Sequence, residues 1–207
     1  MSRKIGIMGG TFNPIHTGHL ILGESAATEL NLDFVWYMPA GNPPHKKIKN
    51  AVLDEERVEM VKLAIAENEY FGLSLHDMNQ DGYCYTYRML EELHNENPND
   101  KLYFIMGADS LFDFDTWLEP ARIAAACTLV VAVRDHAEAN AFKEAIKHVE
   151  EAYKASIYVL ETPNIDISSH EIRRKVFEKK SIRYYVPEAV RQYIIEHQLY
   201  LEDENEN

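Results

Sequence analysis

Cysteine, cations and long apolar runs are all scarce in this chain, and each shortage removes a class of protein. Only 2 of the 207 residues are cysteine. Cys84 and Cys127 stand far apart with no metal-ligand spacing, which argues against a disulfide scaffold or a zinc site and for a reducing compartment. Lys and Arg number 21 against 34 Asp and Glu, a net charge of −13, which works against general binding to nucleic-acid phosphates or an anionic membrane. An anionic ligand must then be held by a local cluster of donors. No apolar stretch approaches the roughly 20 residues of a membrane-spanning helix, and Met1-Ser2-Arg3-Lys4 leads into a short strand-like run in place of a signal-peptide core. We expect a soluble globular protein of the cytoplasm, with neither nucleic acid nor membrane among its partners. The oligomeric state is left open, and a homo-oligomer is compatible with the sequence.

What is present is 46% hydrophobic residues, enough for a sizeable core in one compact domain. We expect that domain over residues 1–201, followed by an acidic tail, 202–207, where Glu202, Asp203, Glu204 and Glu206 form a solvated run. Ile5-Gly6-Ile7-Met8 ends at Gly9-Gly10, and a helical pattern runs from near Thr17 through Ala27, which makes a strand, a glycine turn and a helix. Residues 34–38, stopped by Pro39, read as a second strand, and 41–47 have loop composition. A helix capped by Asp54 places Val58, Val61 and Ile65 on one buried face. Residues 71–75 suggest a short strand, and Met89, Leu90 and Leu93 mark a helix that Pro98 ends. Residues 102–106, stopped by Gly107, and 128–133, stopped by Arg134-Asp135, are continuous apolar runs of the kind found in fully buried strands. Residues 157–160 supply another strand, and helical patterns follow over 171–180 and from Pro187 to Leu199. The class is α/β, a Rossmann-like doubly wound parallel sheet with helices on both faces and a small C-terminal helical part.

In such a sheet, ligands bind beyond the carboxyl ends of the strands, where the strand order reverses. The exit of the first strand reads Gly9-Gly10-Thr11-Phe12-Asn13-Pro14-Ile15-His16-Thr17-Gly18-His19-Leu20. Glycines allow a ligand to approach the backbone, N–H groups at the start of the next helix attract phosphate, and His16 and His19 share one side of its first turn. That is a phosphate site with two adjustable donors. Either histidine alone reads equally as a helix cap or a surface residue, whereas Gly10, Pro14, His16, Gly18 and His19 in one segment are far more specific. The spacing fits neither the dinucleotide glycine fingerprint nor a Walker loop.

His16-Thr17-Gly18-His19 resembles the His-x-Gly-His signature of a superfamily of nucleotidyltransferases. Ile167-Ser168-Ser169-His170-Glu171-Ile172-Arg173 resembles its second signature, Ile-Ser-Ser-x-x-x-Arg. The two converge if Ser168 caps a helix whose N-terminus faces the same crevice; taken alone, the second segment is an ordinary helix start. From Lys4 to Leu201 the chain resembles, more narrowly, the nicotinate-nucleotide adenylyltransferases. That likeness is carried by Pro43-Pro44-His45-Lys46, by Gly107-Ala108-Asp109-Ser110-Leu111 with Trp117 and Ile123, by Val133-Arg134, by Tyr85-Thr86, and by Tyr184-Tyr185-Val186-Pro187. It departs at the pyridine segment, where Arg88-Met89 replace the Asp-Thr of a Thr-x-Asp-Thr pattern.

The resemblance implies transfer of AMP from ATP to nicotinate mononucleotide, giving nicotinate adenine dinucleotide and pyrophosphate in NAD synthesis, with Mg²⁺ accompanying ATP. It implies catalytic roles for His16, His19 and Arg173. ATP would further meet Gly10, Thr11, Phe12, Gly107, Asp109, Ile167, Ser168 and Ser169, and the mononucleotide would meet Asn13, His45, Lys46, Tyr85, Thr86, Trp117 and Arg134. Several of these have plainer readings. Lys46 beside Lys47 fits a solvated pair, Arg173 a surface arginine, Asp109 a helix cap, Trp117 a core residue and Arg134 a strand end facing solvent. Two other functions stay open: adenylyl transfer to nicotinamide mononucleotide or another phosphate acceptor such as phosphopantetheine, and a non-catalytic nucleotide-binding module.

Overall fold

A computed structural model describes residues 2–41, 52–78, 85–132, 139–163 and 165–202. The expectations for His45, Lys46 and Arg134, and for the tail beyond Glu202, lie outside the described residues.

In chain order the elements are β1 (Lys4–Gly10), α1 (Thr17–Leu30), β2 (Phe34–Pro39), α2 (Asp54–Ile65), β3 (Phe71–Leu73) and α3 (Thr86–Glu96). Then come β4 (Lys101–Gly107), α4 (Ala108–Phe112), α5 (Pro120–Ala126), β5 (Thr128–Ala132), α6 (Ala139–Tyr153), β6 (Ser156–Leu160), α7 (Ser169–Phe177) and α8 (Glu188–Glu196). The strands form one six-stranded sheet in the order β3-β2-β1-β4-β5-β6, parallel at every pairing. The chain winds outward from β1 to β3, then returns to the other side of β1 to begin β4. The order therefore reverses between β1 and β4, the position at which a doubly wound sheet receives a ligand.

Alternation within the strands explains why their sequences show no polar face. Ile5, Ile7, Phe104, Met106, Leu129 and Val131 pack on one side with residues of α3, α4, α5 and α6. Met8, Val35, Tyr37, Ile105, Val130 and Ala132 pack on the other with residues of α1, α2, α7 and α8. Successive side chains point to opposite faces and both faces are covered, so a continuous apolar run is what a strand in this position requires. None of the described helices is long and apolar enough to cross a membrane.

Three local expectations change. Asp54 is the first residue of α2 and not its cap; the cap is Leu53, whose N–H donates to Glu56 Oε2 at 2.9 Å. The buried face of that helix runs through Arg57, Met60, Val61 and Ile65, with Val58 only half-buried. A charged residue thus holds a core position that hydrophobic periodicity passes over. Pro187 caps α8 from outside it, where its missing N–H costs no hydrogen bond.

Candidate active site at the strand-order switch

β1 and β4 pair only from Lys4↔Lys101 to Ile7↔Phe104, although each strand continues for three more residues. Past that point they part, and between them lies a cavity of about 280 Å³. Gly9, His16, Gly18 and His19 line it from the β1 side, Gly107, Asp109, Ser110 and Trp117 from the β4 side, and Thr162, Pro163, Ile165 and Ile167 close it beyond β6.

The two histidines are set by the start of α1. His16 is the N-cap residue, with extended backbone, and is 4% exposed. Its N–H donates to His19 Nδ1 at 3.2 Å, and the two imidazoles stack with centroids 3.6 Å apart at 26°. Because Nδ1 of His19 accepts, the neutral ring carries its proton on Nε2, which makes that nitrogen a donor. Gly18 explains the spacing of the motif. A Cβ there would sit 3.1 Å from His16 Nδ1, tighter than ordinary packing allows. The rings of Phe12 and His19 meet edge to face, with centroids 5.1 Å apart. Phe12 is itself 2% exposed and has a φ of 48°, a left-handed conformation uncommon outside glycine.

The helix is also held from below. Tyr37 is fully buried, and its hydroxyl donates to the His19 carbonyl at 3.2 Å. A Cβ at Gly23 would collide with that hydroxyl. Burial pushes the Tyr37 phenol pKa well above its usual value, and Glu24 adds to the rise, so it stays a neutral donor.

The second motif reaches the first, and Ser168 is the helix cap on which that convergence depends. Ser168 caps α7, its Oγ accepting from the Glu171 N–H at 3.2 Å. Ser169 Oγ donates to the Pro14 carbonyl at 2.9 Å, and Arg173 Nη1 donates to the Asn13 carbonyl at 2.6 Å. The C-terminal segment adds further ties. Thr17 donates through its N–H to Tyr185 O at 2.9 Å and through Oγ1 to Tyr184 O at 3.0 Å, and Tyr200 OH donates to Asn13 Oδ1 at 2.7 Å. Asn13, expected beside the mononucleotide, is buried and bonded to both Arg173 and Tyr200. Nothing in local sequence pattern announces a bond across 187 positions.

On the opposite wall, Gly107 caps α4, so Asp109 stands in the first turn of that short helix and is not its cap. It is exposed at the cavity. Trp117 is partly a core residue and partly a wall of the cavity. Half-buried, it packs edge-on against Phe104 at 5.9 Å and tilted against Phe114 at 5.6 Å, while lining the cavity. Tyr85 caps α3 and Thr86 opens it. Arg88, which replaces the family's Asp, lies over the rings of Tyr85 and Tyr87 at 5.7 Å and donates through Nε to Tyr87 OH at 2.8 Å.

Of the residues expected in the site, His16, His19, Gly107, Asp109, Trp117 and Ile167 line one cavity. Gly10, Thr11, Phe12, Asn13, Ser168, Ser169 and Arg173 belong to the segments that shape its rim, and Tyr85 and Thr86 form a separate helix start. Sequence reasoning missed Ser110, Thr162, Pro163 and Ile165 in the lining, and Arg57, Tyr37 and Tyr200 in the support. In the sequence Arg57 follows Asp54-Glu55-Glu56 and reads as part of a charged helix start, so no local pattern marks it.

A doubly wound sheet with this motif pair at its switch point defines a class: the chain belongs to the cytidylyltransferase-like family, whose model matches residues 7–175. It is 40% identical over 199 residues to the probable nicotinate-nucleotide adenylyltransferase of Lachnoclostridium phytofermentans, covering 96% of this chain and 100% of that protein. The probable nicotinate-nucleotide adenylyltransferase of Clostridium botulinum is also 40% identical, over 202 residues, covering 97% and 100%. Within the class, the chain therefore belongs with the nicotinate-nucleotide adenylyltransferases. The fold is similar to that of Plasmodium falciparum nicotinic acid mononucleotide adenylyltransferase complexed with NaAD, with a TM-score of 0.79 at 21% identity, covering 97% of this chain and 98% of that one.

Proposed function

We propose that this crevice transfers the AMP part of ATP to nicotinate mononucleotide. An oxygen of the mononucleotide's phosphate attacks the α-phosphorus of ATP. The new P–O bond forms as the bond to the oxygen bridging the α- and β-phosphates breaks, and pyrophosphate leaves with that electron pair. No protein nucleophile takes part, so the protein's work is alignment and stabilisation of charge on the transferring group and leaving oxygens. The observation that carries this proposal is the stacked His16–His19 pair lining the same cavity as Asp109 and Trp117. Nε2 of His19 is the donor to a phosphoryl oxygen. Arg173 brings fixed positive charge while holding the Asn13 carbonyl, and Asp109, exposed at the cavity, accepts hydrogen bonds from a ribose.

Mg²⁺ would arrive with the triphosphate: the imidazoles of the cavity suit phosphate oxygens, and those oxygens with water suit a hard cation. Its ligands would be triphosphate oxygens and water, and it would neutralise charge on the triphosphate. Discrimination against the nicotinamide form falls to N–H donors around Tyr85, Thr86 and Trp117, because a carboxylate only accepts hydrogen bonds while an amide also donates. At the start of α3 the Arg88 N–H donates to the Tyr85 carbonyl at 2.9 Å, and the N–H groups of Thr86 and Tyr87 precede the first acceptor of the helical pattern, which suits the acid. Two charged hydrogen bonds of roughly 1.5–3 kcal/mol each correspond to a preference of about 100-fold or more.

The test supplies ATP, Mg²⁺ and a panel of phosphate acceptors, with pyrophosphate and dinucleotide followed together. We expect equal amounts of pyrophosphate and nicotinate adenine dinucleotide, and a kcat/KM for nicotinate mononucleotide at least about 100-fold above that for nicotinamide mononucleotide. A ratio near one would leave the class intact and overturn the acceptor. No pyrophosphate with any acceptor would overturn the enzyme.

A further inference from the structure

Arg57 is fully buried on α2, outside both signature motifs, and its guanidinium joins three segments. Nη1 donates to the Thr11 carbonyl at 2.6 Å, and Nη2 donates to the Ala40 carbonyl at 2.7 Å and to Asp54 Oδ1 at 2.6 Å. Nε is buried with no hydrogen-bond partner. A buried cation satisfied mainly by main-chain carbonyls is costly, and a hydrophobic side chain of similar size is the usual occupant of such a position.

Its location supplies a reason. The β1–β2 pairing ends at Gly10↔Pro39 and is extended by one bond, from the Ala40 N–H to the Gly10 carbonyl at 2.8 Å. At that point the two strands diverge, and the guanidinium takes the Thr11 and Ala40 carbonyls. The next residue is Phe12, whose left-handed backbone persists only where its surroundings over-determine it. The Thr11 carbonyl, fixed by Arg57, sets the peptide that leads into Phe12, since that unit is planar. The Phe12 ring in turn flanks His19 edge-on.

We infer that Arg57 is a positioning residue for adenylyl transfer, acting through the Thr11 carbonyl and the Phe12 ring to hold the His19 imidazole in its reactive place. It rests on the function proposed above, and its test is a ratio between variants that can be read with whichever phosphate acceptor the wild type turns over.

The test uses Arg57→Lys, Asp54→Ala and Phe12→Leu, singly and with Arg57→Lys combined with Phe12→Leu, assayed well below each melting temperature. Val149→Ala, a core change in α6, serves as a control for lost stability alone. Lysine keeps the charge but cannot span both carbonyls. We expect Arg57→Lys to lower kcat about tenfold with KM for ATP changed less than about twofold, because misplacement of a reacting group acts on the chemical step. Asp54→Ala, which removes an exposed partner, should lower kcat about threefold and remain folded. Phe12→Leu should abolish the effect of Arg57→Lys, since the second change then has no ring to move. Val149→Ala should lose stability and keep its kcat within twofold. Unchanged kcat in Arg57→Lys, or fully additive losses with Phe12→Leu, would overturn the inference. If Arg57→Lys does not fold, Asp54→Ala decides alone, and wild-type kcat in that variant overturns it.

Discussion

The two signature segments meet at one cavity but spend their side chains differently. In the first, His16, Gly18 and His19 face the cavity, while its backbone is held by others: Thr17 by the carbonyls of Tyr184 and Tyr185, Pro14 by Ser169, and Asn13 by Arg173. In the second, Ile167 lines the cavity, while Ser168, Ser169 and Arg173 form bonds that cap α7 or restrain the first segment. One segment presents the chemistry and the other fixes its frame. A reacting geometry must be held to a fraction of an ångström, and a loop between a strand and a helix cannot hold itself that well. The long stretch of chain between the motifs is the route by which a second helix is brought to that task.

The contrast can be broken by truncating each side. His16→Ala and His19→Ala should each lower kcat on the order of 100-fold or more, the usual cost of removing one donor to transition-state charge. For His19→Ala the accompanying loss of stability should be about 1 kcal/mol, because its ring also accepts the His16 N–H at the helix start. Near-normal turnover in either folded variant would remove the histidines from the mechanism. Arg173→Ala should cost on the order of 10–100-fold in kcat, and a melting curve should show a loss of stability as well, because the buried Asn13 carbonyl then loses a charged partner.

Gly18→Ala sharpens the comparison by changing no polar group. Alanine normally favours a helix over glycine by up to about 1 kcal/mol, and the pressure of its Cβ on the buried His16 ring offsets that gain, so the melting temperature should change little. Turnover should nevertheless fall about tenfold, since the new Cβ crowds His16. Trp117→Ala should raise KM for the mononucleotide about tenfold and that for ATP less than twofold. Equal rises with a lower melting temperature would leave only its packing on Phe104 and Phe114. The smallest effect belongs far from the crevice. The Arg3 guanidinium holds the Asp100 carboxyl below its usual pKa, so this pair adds stability above about pH 4 that is lost as pH falls through the lowered value. Asp100→Asn should lower the melting temperature at pH 7, approach the wild type as pH falls through the lowered Asp100 value and leave kcat untouched.

The sheet was legible because burial on two faces writes itself directly into runs such as 102–106 and 128–132, and the switch point follows from strand order. The first motif was legible because glycine, proline and histidine are each unusual at a strand exit, and rarer still together. Its supports were not. Arg57 looks like a solvated helix residue until two carbonyls are seen to converge on it, and Tyr200 contacts Asn13 only through the completed fold. Long-range bonds to backbone leave no periodicity, so residues that hold an active-site loop are harder to read than residues that act in it.

The central claim is that Arg173, through the Asn13 carbonyl, holds the frame in which His19 acts, so that the two side chains work as one unit. A double-mutant cycle on kcat, with ATP and nicotinate mononucleotide both saturating, tests it most directly. We expect the combination of His19→Ala and Arg173→Ala to be little slower than the worse single variant. Losses that multiply in full would contradict the claim and assign the two residues to independent tasks.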